Sequence, residues 1–195
     1  MNKRTYVAAI TMVGLVALLV GIGCNNDISK TSSPVELLMH VTSQPIQVFD
    51  LAALTTTACQ QSVSTDQIEN RIKNPATSNT AFLDVKLTRY RVEWTRTDGG
   101  RLVPAPVDRS MTLLIPAGGT SNTFVFHIAD VAALDQSPFV SLLPQNGGKD
   151  PDTGSKIMHF NITTTVFGQT LAGDNVSASD TIPFVVCFDC GGCSS

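Results

Sequence analysis

From Val35 onward, apolar and polar residues alternate with a period of two rather than 3.6, the mark of strands that bury one face. In the run 82–87, Leu83, Val85 and Leu87 share a face. In the next run, Tyr90, Val92 and Trp94 share a face, with Arg91 and Glu93 opposite. The apolar parity changes from odd to even between the two runs. A one-residue bulge produces such a change, so the pattern predicts one long bulged strand, or two strands meeting near Thr88. Arg89, Arg91 and Arg96 are interleaved with Tyr90 and Trp94. The arginines and the aromatics are expected on opposite faces, giving a solvated strand face over a core.

Further runs follow the same rule. Met111–Ile115 is apolar and stops at Pro116, before the turn Ala117-Gly118-Gly119. Phe124, Phe126 and Ile128 alternate, as do Met158, Phe160, Ile162 and Val166, and then Ile182, Phe184, Val186 and Phe188. The stretch Gly168–Asn175 reads as a hairpin connection between the last two runs. Pro183 lies inside the final run, which predicts an edge position or a bulge there, because proline cannot donate to a ladder. Helix signal is confined to Asp130–Leu134, where a turn or two is expected. Gln145–Gly154 is the most loop-like stretch and is expected to project from one end.

Short strands, turn signals and little helix predict an all-β fold, an antiparallel β-sandwich. The Tyr90/Trp94 strand followed by a paired terminal hairpin resembles the immunoglobulin-like domains of bacterial surface proteins. That likeness is architectural and covers residues 35–188.

The N-terminal segment breaks this pattern. Lys3 and Arg4 precede a 17-residue, largely apolar stretch, Tyr6–Ile22, and no acidic residue occurs before Asp27. A positive start, an apolar middle and small residues at the end are the layout of a secretory signal. Its length is also near the lower limit for a membrane-spanning helix. The segment ends Leu19-Val20-Gly21-Ile22-Gly23-Cys24, which resembles the bacterial lipobox. Gly23 fits that motif, whereas Gly21 stands where Leu is commonest. The resemblance implies a diacylglycerol on the Cys24 thiol, cleavage before Cys24 and acylation of the new amino terminus. By the same resemblance, Asn25, where Asp would favour retention in the inner membrane, points towards the outer membrane of the cell envelope. The organisation expected is a signal peptide over 1–23, a flexible tether over 24–34, a β-sandwich over 35–188 and a Cys-rich tail over 189–195.

With Cys24 assigned to lipid, Cys59, Cys187, Cys190 and Cys193 remain as disulfide candidates. An even number suits an oxidising compartment. One bond tying Cys59 to the tail and one closing within it is the simplest reading, although four cysteines allow three pairings. The alternative is a metal-handling or redox site built from the same four thiols. C-x2-C spacing suits zinc, but the second knuckle of the usual zinc pattern is missing.

Composition narrows the function classes. Charged residues make up 15% of the chain, against roughly 25% in typical soluble domains, as in secreted proteins with Thr- and Ser-rich surfaces. The net charge of −3 falls to about −5 when Lys3 and Arg4 leave with the leader. Such a chain is a poor nucleic-acid ligand, since phosphates demand clustered cations. No phosphate loop, nucleophile elbow or H-E-x-x-H occurs. His40, His127 and His159 are scattered, and the last two alternate with core positions, so they read as outward-facing. Asp150-Pro151-Asp152-Thr153-Gly154 hints at a calcium loop but lacks the third acidic position and the closing Glu, with Ile162 in its place. The expectation is a noncatalytic protein with no cofactor and no metal. Its lipid anchor would bind the membrane, and its body would meet a protein or cell-surface partner.

Overall fold

A computed structural model of the chain describes residues 33–40, 47–52, 62–65, 67–121, 124–128 and 136–190. The leader, Cys24, Cys59, Cys193 and the Asp130–Leu134 segment lie outside the described residues. From Pro34 onward the chain forms one compact unit. Its strands are β1 (Val35–His40), β2 (Gln47–Asp50), β3 (Ser62–Thr65), β4 (Gln67–Ile72), β5 (Val85–Arg96), β6 (Val107–Ile115), β7 (Phe124–His127), β8 (Ile157–Thr170) and β9 (Asn175–Cys187). Helix among the described residues is limited to short 3-10 turns, such as Ala81–Leu83 and Phe139–Leu142. The protein is all-β.

A five-stranded sheet runs in the order β2-β9-β8-β5-β6, and two-stranded sheets pair β1 with β4 and β3 with β7. The β5, β6, β8 and β9 ladders are antiparallel, whereas β2 lies parallel to the end of β9. The parity switch in β5 is a bulge. Against β8, Leu87 pairs with Gly168 and Arg89 with Phe167, so Thr88 is the extra residue. Against β6, Leu87 pairs with Leu113 and Arg89 with Ser110, so there the extra residue lies on β6. Leu83, Val85 and Leu87 before it, and Tyr90, Val92 and Trp94 after it, are all buried.

Gly168 is part of this device and not of a loop. It pairs with Leu87 on one side and Val176 on the other, and a Cβ there would meet the Lys86 carbonyl oxygen at 2.5 Å. The hairpin expected over Gly168–Asn175 is therefore shorter, with β8 running to Thr170 and β9 starting at Asn175. Glycine in a strand signals a close backbone approach as well as a turn, and here it faces the bulge. Pro183 falls on β9 one residue before β2 joins its outer edge at Phe184. β9 is an inner strand of the sheet, between β2 and β8, so Pro183 sits beside the start of the described β2 ladder and not on an edge strand.

One face of the five-stranded sheet is buried. Trp94 lies within about a ring's width of Phe139, Phe160 and Phe184, each edge-on at 5.2 to 5.5 Å between centroids. Over β5, Tyr90 meets Phe126 of β7 edge-on at 4.9 Å. Asn70 of β4, wholly buried, joins the second set of strands to the sheet. Its side-chain amide donates to the carbonyls of Leu83 and Ile115 at 3.0 and 3.2 Å. Its backbone meanwhile bonds Gly118 and Gly119.

Candidate functional site

Three linked charged groups, Arg96, Asp98 and Asp150, converge at the end of the five-stranded sheet where β5 and β9 finish and β8 begins. Arg96 is the last residue of β5. Counting by twos from Tyr90 places it on the same face as Val92 and Trp94, so it points inward, and its side chain is only 2% exposed. This corrects the expectation that all three arginines face away from the aromatics. Arg89 and Arg91 do so, pairing with Asp108 and Glu93 at the surface, but Arg96 has the parity of the core.

A buried guanidinium requires counter-charge and acceptors, and Arg96 has both. Asp98 receives two parallel bonds, from Nε at 2.7 Å and Nη2 at 2.8 Å. Asp150, fully buried at its side chain, accepts from Nη2 at 2.6 Å. Nη1 donates to the Leu102 carbonyl, and the guanidinium stands over the Phe160 ring. The carboxylates are tied in turn. Asp98 accepts from the backbone N–H groups of Gly100 and His159, and Asp150 from the Thr153 hydroxyl and the Asp152 N–H. Asp152 accepts from the N–H groups of Arg101 and Leu102.

Burial opposes ionisation of Asp98 and Asp150. The Arg96 bonds and the donors just named outweigh it, and both carboxyls are held below the usual carboxylate range. Arg96 is likewise disfavoured by burial and raised overall by the two carboxylates. The stretch 145–154 is pinned at Asp150, where the sequence suggested a projecting loop. The two acidic groups of the calcium-like run are engaged by Arg96, Thr153 and the 101–102 backbone. Among the described residues no cluster of three or more His, Cys, Asp or Glu could hold a metal ion. His127 and His159 are exposed.

The second feature of this end is Cys187, which is bonded to Cys190. Asp50, the last residue of β2, is buried beside them. It accepts the N–H of Ala52 at 3.0 Å, of Asp189 at 2.8 Å and of Cys190 at 2.9 Å. Asp189 adopts a positive φ of 55°, a conformation that Asp tolerates better than most residues, and its N–H and the next one converge on a single carboxylate. Two of the four thiols considered for a metal site are therefore joined to each other.

Sequence reasoning missed Asp50, because its partners lie about 140 residues away, and it missed the Arg96 triad. For Arg96 a signal was present in the strand parity; for Asp150 there was none. No family model and no curated protein matches this chain.

Proposed function

We propose that this chain is a noncatalytic lipoprotein of the bacterial cell envelope, with a β-sandwich body that serves as a binding or structural module at the membrane surface. The single observation that carries the reading is the leader: two cations, an apolar stretch and Gly23-Cys24 at its end. The leader is cut before Cys24, the thiol carries lipid, and Asn25 directs the product to the outer membrane. Each lipid CH2 buried contributes about 0.8 kcal/mol, so two or three acyl chains hold where one would not.

An immunoglobulin-like sandwich is supported by the Asn70 bonds and the Tyr90–Phe126 contact, which join the small sheets to the large one. The buried ion triad and the Cys187–Cys190 bond support a body stiffened for service outside the cytoplasm rather than a reactive centre. Its partner is a protein or a cell-surface component.

The test is Cys24→Ser in a bacterial host, followed by detergent-phase partitioning and cross-linking in intact cells. The native chain is expected in the detergent phase and cross-linked to a defined partner, and the variant is expected unprocessed. Equal processing and partitioning of both would overturn the anchor. Failure to recover a partner, together with turnover of a substrate, would overturn the binding module.

A further inference from the structure

The end of the body opposite the ion triad carries exposed apolar side chains where the chain enters the fold. Phe82 is 70% exposed and Leu171 51% exposed. Their segments are joined through backbone bonds, Leu171 N–H to the Asp84 carbonyl at 2.9 Å and Ala172 N–H to the Phe82 carbonyl at 3.0 Å. The entry point is nearby. The Pro34 carbonyl accepts from Lys73 N–H, and Val35 pairs with Ile72. Ile72 is two residues, about 7 Å, beyond Asn70, which bonds the carbonyl of Leu83 next to Phe82.

We propose that this end, with Phe82 and Leu171 at its tip, is a phospholipid-contact surface that seats the body on the membrane. The inference rests on the lipid-anchor reading of Cys24. Only nine residues, 25–33, separate Cys24 from Pro34, and the ten steps between them reach at most about 36 Å when fully extended. The 14 residues of β8 span about 46 Å. A tether shorter than the sheet cannot let the body invert, so the entry end is kept nearer the bilayer than the triad end. The charges of the entry end agree. Lys86 is exposed, suiting anionic headgroups, and the exposed Glu36 is neutralised by Arg71 at 2.9 Å. Asp84 and Asp174 are half-buried, and their carboxylates engage the Ala117 N–H and the Thr170 hydroxyl. Apolar residues with flanking cations are the composition of an interfacial contact.

The test uses the full acylated chain in phosphatidylethanolamine–phosphatidylglycerol vesicles, with Phe82→Trp as the probe and Leu102→Trp as the control at the other end. Both positions are exposed, so neither change threatens folding. With brominated acyl chains, the Phe82→Trp signal is taken as the difference from the unsubstituted chain, in which buried Trp94 also emits. It is expected to fall about twofold, as for an indole about 5–10 Å below the surface, and the Leu102→Trp difference signal to stay constant. Equal quenching of both, or none of Phe82→Trp, overturns the proposal while leaving the anchor intact. A blue shift of Phe82→Trp without bromine quenching, in a chain that sediments as a dimer, overturns it in favour of a second copy. An intact mass showing unmodified Cys24 overturns the anchor, and this proposal with it.

Discussion

The two ends of the body solve opposite problems. At the end where β5 and β9 finish, charged groups are buried and fully engaged: Arg96 is held by Asp98 and Asp150, and the Cys187–Cys190 turn by Asp50. At the end where the chain enters, large apolar groups are left in water, Phe82, Leu114 and Leu171 foremost, at 51 to 70% exposure against 39 to 44% for Leu102, Val103 and Ile157 near the triad. Each arrangement alone runs against the usual partition of residues. The contrast separates buried, engaged charge at one end from apolar surface left in water at the other. Buried charges tied to several partners hold loops in one geometry, whereas exposed apolar side chains add nothing to the folded state and are free to contact something else.

If that division is right, substitutions at the two ends differ in kind. Arg96→Ala leaves two carboxylates in a dry site and is expected to destabilise the body by about 3–5 kcal/mol, the usual cost of breaking a buried pair from one side. Urea unfolding at neutral pH measures it. Joint replacement of Cys187 and Cys190 by Ser removes a closure spanning a separation of three residues. It is expected to cost about 2 kcal/mol on the chain-entropy estimate for so short a loop, read as a lower thermal midpoint.

The same end is expected to be acid-sensitive. Asp98 and Asp150 have folded pKa values below their unfolded ones. Their contribution is therefore full above the unfolded value of about 3.9 and is lost as pH falls through the lower folded values. Stability should decline below about pH 4 in the native chain and decline less steeply in Arg96→Ala. Unfolding curves collected across that interval separate the two. Phe82→Ser, at the other end, is expected to change stability by less than about 0.5 kcal/mol, as exposed positions usually do, while reducing seating on vesicles. A large loss of stability there would erase the distinction between the ends.

Much of the sheet was legible from alternation alone. The switch from Leu87 to Tyr90 parity placed a break near Thr88, and the structure resolves it as a bulge in one strand and not as two strands. Pro183 suggested an edge or a bulge, whereas β9 is an inner strand on which the described β2 ladder starts one residue later. Arg96 was legible and misread: grouping it with Arg89 and Arg91 by charge overrode the parity that places it with Trp94. Gly168 was read as a turn because a glycine's two uses, turning and close approach, look alike in sequence. The Asp150 and Asp50 contacts were not legible, since separations of 54 and about 140 residues leave no local pattern. The parallel pairing of β2 with β9 was hidden for the same reason. Of the cysteines, local closure within the tail was among the expected pairings, and Cys187–Cys190 realises it.

The account stands on the modification of one thiol. Intact mass of the protein extracted from membranes, recorded before and after reduction, tests it most directly. The account predicts a chain beginning at Cys24 and heavier than its sequence by a diacylglycerol and an acyl group, with further mass gained on reduction. A chain that still carries Met1–Gly23, or that begins elsewhere with no lipid mass, would contradict it.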